Sequence, residues 1–307
     1  PFRFELHFAA ANWVTVGCAN VYYLILGVGL LPRKWLQSLG RLLGLILYYG
    51  QTRSRRTSDR NIKLCFPNLS PLEHRRLVRD SLISTAQTAF ETPGVWTKNS
   101  KHLLTWIDNI YNEDIINRAL SKGSGTLLLV PHIGNWELYN AVFAQKGFQL
   151  TALFKPPKQK AIASIIEKVR SGYGNEMVPT NPRGLVRLYK VLGAGGNVAV
   201  LPDQVPESGV FIPFFGVPAY TDRLVHRLTL KTGAVPILVA LIRNTRGRFD
   251  LHYTAVPELA VEDEVKGLTG LNNALEELVC RFPVQYQWEY KRFKKQPAGA
   301  DEVYSSD

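Results

Sequence analysis

The sequence predicts an α/β fold: a central, mostly parallel sheet with helices on both faces, preceded by an N-terminal membrane-associated helical segment. Three observations carry this. Short apolar runs at residues 126–130, 149–154 and 197–201 alternate with amphipathic segments of helical period. Each run ends in polar residues: His132 after the first, Lys155 and Lys158 after the second, Asp203 and Gln204 after the third. Residues 8–31 contain no Asp, Glu, Lys or Arg. At ~1.5 Å per residue that stretch is long enough to cross a hydrocarbon core of ~30 Å.

The 307 residues, 46% of them hydrophobic, provide for one α/β body at residues 53–296. Residues 1–52 read as anchoring and interfacial helices, and 297–307 as a loose tail. A net charge of +12 calls for an anionic partner, which charge alone leaves open among nucleic acid, acidic protein and phosphate-bearing lipid. Cys18, Cys65 and Cys280 are odd in number and far apart. They suggest neither a disulfide scaffold nor a zinc site, and fit a reducing, cytosol-facing environment.

In chain order, residues 8–31 read as a membrane-spanning helix, with a buried helix of the body as the alternative. Arg33, Lys34, Arg41, Arg53, Arg55 and Arg56 follow it, which by the positive-inside rule places the body in the cytoplasm. Between these cations Leu36, Leu39, Leu43, Ile46 and Leu47 form an apolar stripe, as expected of a helix lying on an anionic membrane or packed on the body. Ser70, Pro71 and Glu73 make a capping box opening a helix to about Thr92, with Pro93 and Gly94 as its stop. A weaker helix is predicted at residues 112–120.

The strand at 126–130 stops at Pro131, and a turn through Gly134 leads into a helix at 135–144. His132 and Glu137 are the only His, Asp or Glu residues between Lys122 and Lys146. Five residues apart on one helix they would diverge by about 140°. Across a turn, the Glu137 carboxylate could fold back on the imidazole, fix its tautomer and stabilise its charged form, as a general base requires. A capping histidine and a surface glutamate would give the same spacing. The position of His132 at a strand end favours the chemical reading. Ser124 precedes its strand and so cannot be a nucleophile elbow.

Further helices are predicted at 161–170, 185–192, 221–232 and 261–281, and two more strands at 235–242 and 249–256, joined by a basic turn. Residues 209–219, with two Gly and two Pro, read as an irregular apolar loop that packs on the core or lines a pocket for an apolar chain. Residues 283–295 mix aromatics with cations, as at a membrane interface or phosphate site, or as a charge run beside core aromatics.

Taken in order, Arg60-Asn61-Ile62-Lys63-Leu64-Cys65-Phe66-Pro67, the His-x-x-x-x-Glu of His132 and Glu137, Arg170, Asp203-Gln204, residues 211–216, Gln287-Trp288 and Lys291-Arg292-Phe293 resemble the late acyltransferases of lipid A assembly, the lauroyl and myristoyl transferases of Gram-negative bacteria. The resemblance implies a glycerol-phosphate-acyltransferase-like fold with an acyltransferase domain at 53–296. It also implies an inner-membrane location facing the cytoplasm. The implied reaction moves a fatty acyl group from an acyl carrier protein thioester, or less often coenzyme A, to a hydroxyl of a lipid A precursor. No metal, cofactor or acyl-enzyme is involved. His132 would be the base and Glu137 its acid; Lys155, Arg170, Asp203 and Gln204 would bind substrate, with Asp203 pairing with a basic residue. Lys155 stands where the family commonly has arginine, and loses the bidentate grip on phosphate. An acyltransferase of phosphatidylinositol mannosides or glycerolipids shares the histidine and acid spacing, and a non-enzymatic basic membrane-binding protein shares the charge. A nucleic-acid partner is disfavoured by the leading apolar segment and the lack of a recognition module.

Overall fold

The computed structural model describes residues 23–145, 147–154 and 174–304. Lys155, Arg170, the helix expected at 161–170 and residues 8–22 of the expected membrane span lie outside the described residues. Of that span, residues 23–30 are helical. Among the described residues no helix is long and apolar enough to cross a membrane.

The body is a seven-stranded sheet in the order β1, β9, β8, β2, β5, β3, β4. The strands are β1 (Ile107–Tyr111), β2 (Thr126–Leu129), β3 (Leu150–Phe154), β4 (Glu176–Pro179), β5 (Asn197–Val200), β8 (Val235–Arg243) and β9 (Phe249–Ala255). All pairings are parallel except β8 with β9. β2 and β5 are buried along their whole length, because helices cover both faces and every side chain must be apolar or paired. Alternate residues serve opposite faces. Leu127 and Leu129 join a core with Leu188, Val225, Leu228 and Leu271. Leu128 and Val130 join another with Leu138, Val142, Phe143 and Ile116.

The helices are α1 (Arg33–Tyr49), α2 (Arg53–Cys65), α3 (Pro71–Thr97), α4 (Ser100–Leu104), α5 (Glu113–Lys122), α6 (Leu138–Gln145), α7 (Pro182–Gly193), α8 (Leu224–Thr232) and α9 (Glu264–Arg281). The capping box forms, with Ser70 and Glu73 satisfying each other's backbone N–H groups. Contrary to expectation, α3 runs through Pro93 to Thr97. An interior proline costs about 3 kcal/mol, but here the last turn is held by packing. Gly94 lies against Leu36 and the Trp106 ring, and the hydroxyls of Thr92 and Thr97 donate to carbonyls of the preceding turn.

The apolar stripe of α1 is buried in part and exposed in part. Leu36, Gly40 and Gly44 are buried on α3. A Cβ on Gly40 or Gly44 would come within 2.4 Å of the Cα of Gln87 or Ile83, so only glycine permits this approach. Trp35, Leu39, Leu42, Ile46 and Tyr49 are exposed.

Three other expectations are corrected. Residues 209–219 are mostly regular: β6 (Val210–Phe214) and β7 (Val217–Thr221) form an antiparallel hairpin. Its turn needs positive φ at Phe215 (51°) and Gly216 (73°), and phenylalanine there gives no sequence signal. Of the readings of residues 283–295, the membrane or phosphate surface gives way to the charge run beside core aromatics: Tyr286, Trp288, Arg292 and Phe293 are buried, while Lys294 is exposed. Arg292 donates to the Tyr220 carbonyl and the Thr221 hydroxyl. The expected loose tail is tied down as far as Tyr304, whose hydroxyl bonds Asn61 and accepts from the Phe293 N–H.

One buried ion pair joins several of these elements. Glu91 on α3, fully buried, receives Nε and Nη2 of Arg243 at 2.9 and 2.7 Å. It also receives Gln37 of α1 at 2.8 Å and Asn135 of the loop after β2 at 3.1 Å. Removing one partner strands a buried charge, so Glu91→Ala is expected to lower stability by about 3 to 5 kcal/mol in urea denaturation. The apolar double variant Glu91→Leu, Arg243→Met should recover much of that. A loss below about 1 kcal/mol for Glu91→Ala would mean the pair does not hold these elements together.

Candidate active site

β2 and β5 are adjacent and parallel, with Leu129 opposite Val200. His132 and Asp203 therefore each stand three residues beyond paired positions. At the ~4.8 Å spacing of neighbouring strands their side chains meet. His132 Nδ1 lies 2.8 Å from Asp203 Oδ1, and the His132 backbone N–H donates to Oδ2, also at 2.8 Å. Gln204 Nε2 lies 3.2 Å from His132 Nε2. Because carboxylate oxygens only accept and amide nitrogens only donate, this network selects one tautomer. Nδ1 carries the proton toward Asp203, and the Nε2 lone pair faces Gln204. The Trp136 ring lies edge-on to the imidazole at 4.9 Å between centroids.

The loop holding His132 is pinned on every side. Its Gly134 has φ 60°, and a Cβ there would fall 1.9 Å from the Leu241 carbonyl oxygen, which requires glycine. The Gly134 N–H donates to the Gln285 carbonyl, its own carbonyl accepts from the Thr88 hydroxyl, and the Asn135 N–H donates to the Leu241 carbonyl. The Gln287 N–H donates to the His132 carbonyl. The Gln287-Trp288 sequence thus bears on the site through the backbone.

The carboxylate against Nδ1 is that of Asp203, where the sequence spacing had put Glu137. The helix begins only at Leu138, so Glu137 lies in the turn before it. Its carboxylate accepts from the Trp96 indole at 3.4 Å. Glu137 is buried and borders a small apolar cavity of about 40 Å³ with Trp136, Leu150, Leu153 and Leu201. His132, Asp203, Gln204 and Glu137 thus gather at one strand end, while Lys155 and Arg170 lie outside the described residues. Thr88, Glu91, Asn135 and Gln285 support the site without any motif to announce them. Among the described residues no group of three or more His, Cys, Asp or Glu could hold a metal ion. Cys65 is no nucleophile candidate: it is buried, and burial pushes its thiol far up.

Burial alone would raise the Asp203 carboxyl, but the adjacent imidazole charge and the hydrogen bonds from the His132 ring and backbone outweigh it and hold the carboxyl below its ordinary value. Glu289 behaves in the opposite way. Its Oε1 has no hydrogen-bond partner among the described residues, and Oε2 accepts from Thr85 at 3.2 Å. Burial pushes its carboxyl up to about 7. A raised folded value means the contribution to stability is fully present below the unfolded pKa, about 4.3, and is lost as pH rises through about 7. The wild type is expected to lose on the order of 3 kcal/mol between pH 4 and pH 8 that Glu289→Gln retains. Denaturant titrations of both proteins across that range make the comparison. Parallel profiles would mean that Glu289 is ionised in the fold.

The bacterial lipid A biosynthesis acyltransferase family model matches residues 8–295. Among similar proteins of Escherichia coli K12, the lipid A biosynthesis lauroyltransferase is 26% identical over 297 residues, covering 95% of each chain. The palmitoleoyltransferase is 25% identical over 279 residues, 89% of this chain and 90% of its own. The myristoyltransferase is 24% identical over 286 residues, 91% and 87% respectively. With a strand-end histidine paired to a buried aspartate, and a family match spanning nearly the whole chain, this protein belongs to the bacterial lipid A biosynthesis acyltransferases.

Proposed function

We propose that the protein transfers a fatty acyl group from an acyl carrier protein thioester to a hydroxyl of a lipid A precursor at the cytoplasmic face of the inner membrane. The observation that carries this reading is the His132 imidazole, held by Asp203 at Nδ1 with its Nε2 lone pair toward the Gln204 amide. His132 Nε2 takes the proton of the acceptor hydroxyl as that oxygen attacks the thioester carbonyl. The tetrahedral adduct collapses, the C–S bond breaks, and the imidazolium returns the proton to the leaving thiolate. No covalent enzyme intermediate is required. Asp203 keeps the imidazole oriented and stabilises its charged form. Glu137, in the same turn, adds a second carboxylate to the site. Arg170 and Lys155 would bind or polarise substrate.

The exposed face of α1, with Trp35, Leu39, Leu42, Ile46 and Tyr49 beside Lys34 and Arg41, suits a helix lying in the interface of an anionic membrane. That would bring the site to its lipid acceptor. The span read at residues 8–31 would anchor the same end.

The direct test is radiolabelled acyl transfer from acyl carrier protein to a lipid A precursor. His132→Ala is expected to lower turnover by a factor on the order of 10² to 10⁴, the range for a positioned general base. Asp203→Asn should lower kcat far more than it changes KM, because the amide permits the wrong tautomer. Undiminished turnover in a folded His132→Ala protein would remove the histidine from the chemistry. A KM effect alone in Asp203→Asn would assign that residue to substrate binding.

A further inference from the structure

A second recess lies on the same edge of the sheet as His132. Gly134 bridges to Leu241 near the end of β8, Arg243 pairs with Phe249 at the start of β9, and Phe249 pairs with Ile107 at the start of β1. Trp106 and Arg248, just before β1 and β9, therefore face the same side as the catalytic loop. Two to three strand spacings, roughly 10 to 14 Å, separate them from it. There a cavity of about 580 Å³ is lined by Arg33, Lys34, Lys98 and Arg248 together with Trp35 and Trp106. That volume is within the ordinary range for a small-ligand site. No carboxylate contributes to its lining. The titratable His102 stands at its wall, edge-on to Trp106.

Like charges gathered in one recess repel unless an anion joins them. Glu91 pairs with Arg243, and Asp108 with Arg246 at 2.6 Å and with Arg248 of the lining at 3.5 Å, whereas Arg33 and Lys34 form no ion pair among the described residues. Lys98 donates to the carbonyls of Gly29 and Leu31. Arg33 Nε is buried with no hydrogen-bond partner among the described residues, an unusual state for a guanidinium donor. Burial, and next the charge of Arg248, hold the Arg33 guanidinium below its ordinary value against the opposing charges of Glu91 and Asp108, and an incoming anion would offset the repulsion from Arg248. The rim is apolar, with Leu30 and Trp35 at 77% and 65% exposure, which suits an anionic group carried on an amphiphile better than a free ion.

Resting on the acyl-transfer reading above, we infer that this recess binds a phosphate group of the lipid acceptor, held by Arg33, Lys34 and Lys98, while a hydroxyl of the same head group reaches His132. The strand spacing sets the scale of the ligand: phosphate and reacting hydroxyl lie roughly 10 Å or more apart.

The test uses the full chain in detergent, with Arg33→Gln and, should that variant lose its fold by circular dichroism, Lys34→Gln in the exposed first turn of α1. Arg118→Gln, an exposed surface cation paired with Asp114, controls for loss of charge in general. In the binding arm, mixed micelles containing phosphatidic acid are compared with phosphatidylcholine micelles and with inorganic phosphate at equal ionic strength. The expected result is a tenfold or larger loss of affinity for phosphatidic acid micelles in the recess variants, none in Arg118→Gln, and weak binding of inorganic phosphate. In the kinetic arm, the preference in kcat/KM for a phosphorylated acceptor over its dephosphorylated analogue should fall by a similar factor. Unchanged micelle affinity in the recess variants would overturn the inference, as would inorganic phosphate binding as tightly as the lipid, which would make this a free-phosphate site. Absence of any acyl transfer by the wild type, with phosphatidic acid binding still dependent on Arg33, would refute the reaction and support the recess.

Discussion

The buried pair of Glu91 and Arg243 is the joint on which the geometry of this protein depends. Isolating two charges from water costs several kcal/mol for each ion, and mutual attraction offsets it only where the remaining lone pairs and protons are also satisfied. Here they are. Glu91 accepts from Gln37, Asn135 and two nitrogens of Arg243, and Arg243 also donates to Ser84 and Thr88. The partners come from four elements, so the network fixes position more than it adds stability. It ties α1, α3, the end of β8 and the turn after β2 to one point. The His132 turn is therefore set by a charge cluster that never touches the reacting atoms.

The sheet centre was legible in the sequence because β2, β5 and β8 are buried on both faces and read as unbroken apolar runs bounded by glycine or proline. The place of His132 was legible for a related reason: it follows such a run directly, at a strand end. Its partner was not. Asp203 is 71 residues from His132, and the two meet only because β5 is inserted beside β2 ahead of the intervening β3 and β4. Spacing along the chain pointed to Glu137, which is close in sequence but lies in a turn with its carboxylate toward Trp96. The hairpin at β6 and β7 and the helix running through Pro93 were hidden by residues that local propensity disfavours there. Tertiary packing decided both.

Net charge proved a blunt guide. The cations of the C-terminal stretch had suggested a lipid or phosphate surface, yet Arg292 is enclosed over the Phe214 ring, and Lys291, Lys294 and Lys295 lie over Tyr304, Tyr290 and Tyr220. Those positive charges are absorbed by aromatic faces and carbonyls of the fold itself. Arg60 and Asn61, prominent in the sequence motif, likewise secure α2 to the Val303 carbonyl and to the Trp288 and Tyr290 carbonyls. At the other end of the sheet edge, Arg33 and Lys34 make no ion pair among the described residues, although the Arg33 guanidinium lies over the Trp106 ring.

With the proposed thioester donor, a transferase must also avoid deprotonating water, since hydrolysis is thermodynamically favourable and water is abundant. The strand-end geometry bears directly on this. The His132 side chain is only 13% exposed, Trp136 covers one side of it, and Gln204 occupies the Nε2 lone pair. Nε2 of His132 is thus hydrogen-bonded to the Gln204 amide. On the proposed reading, an acceptor hydroxyl displaces the Gln204 N–H, drawing on the binding energy of a head group already held elsewhere. A second contact roughly 10 Å or more away would supply that energy and place the hydroxyl at the same time. The acceptor would then be selected before the base is released, and water, which makes no such second contact, would be excluded by the same arrangement.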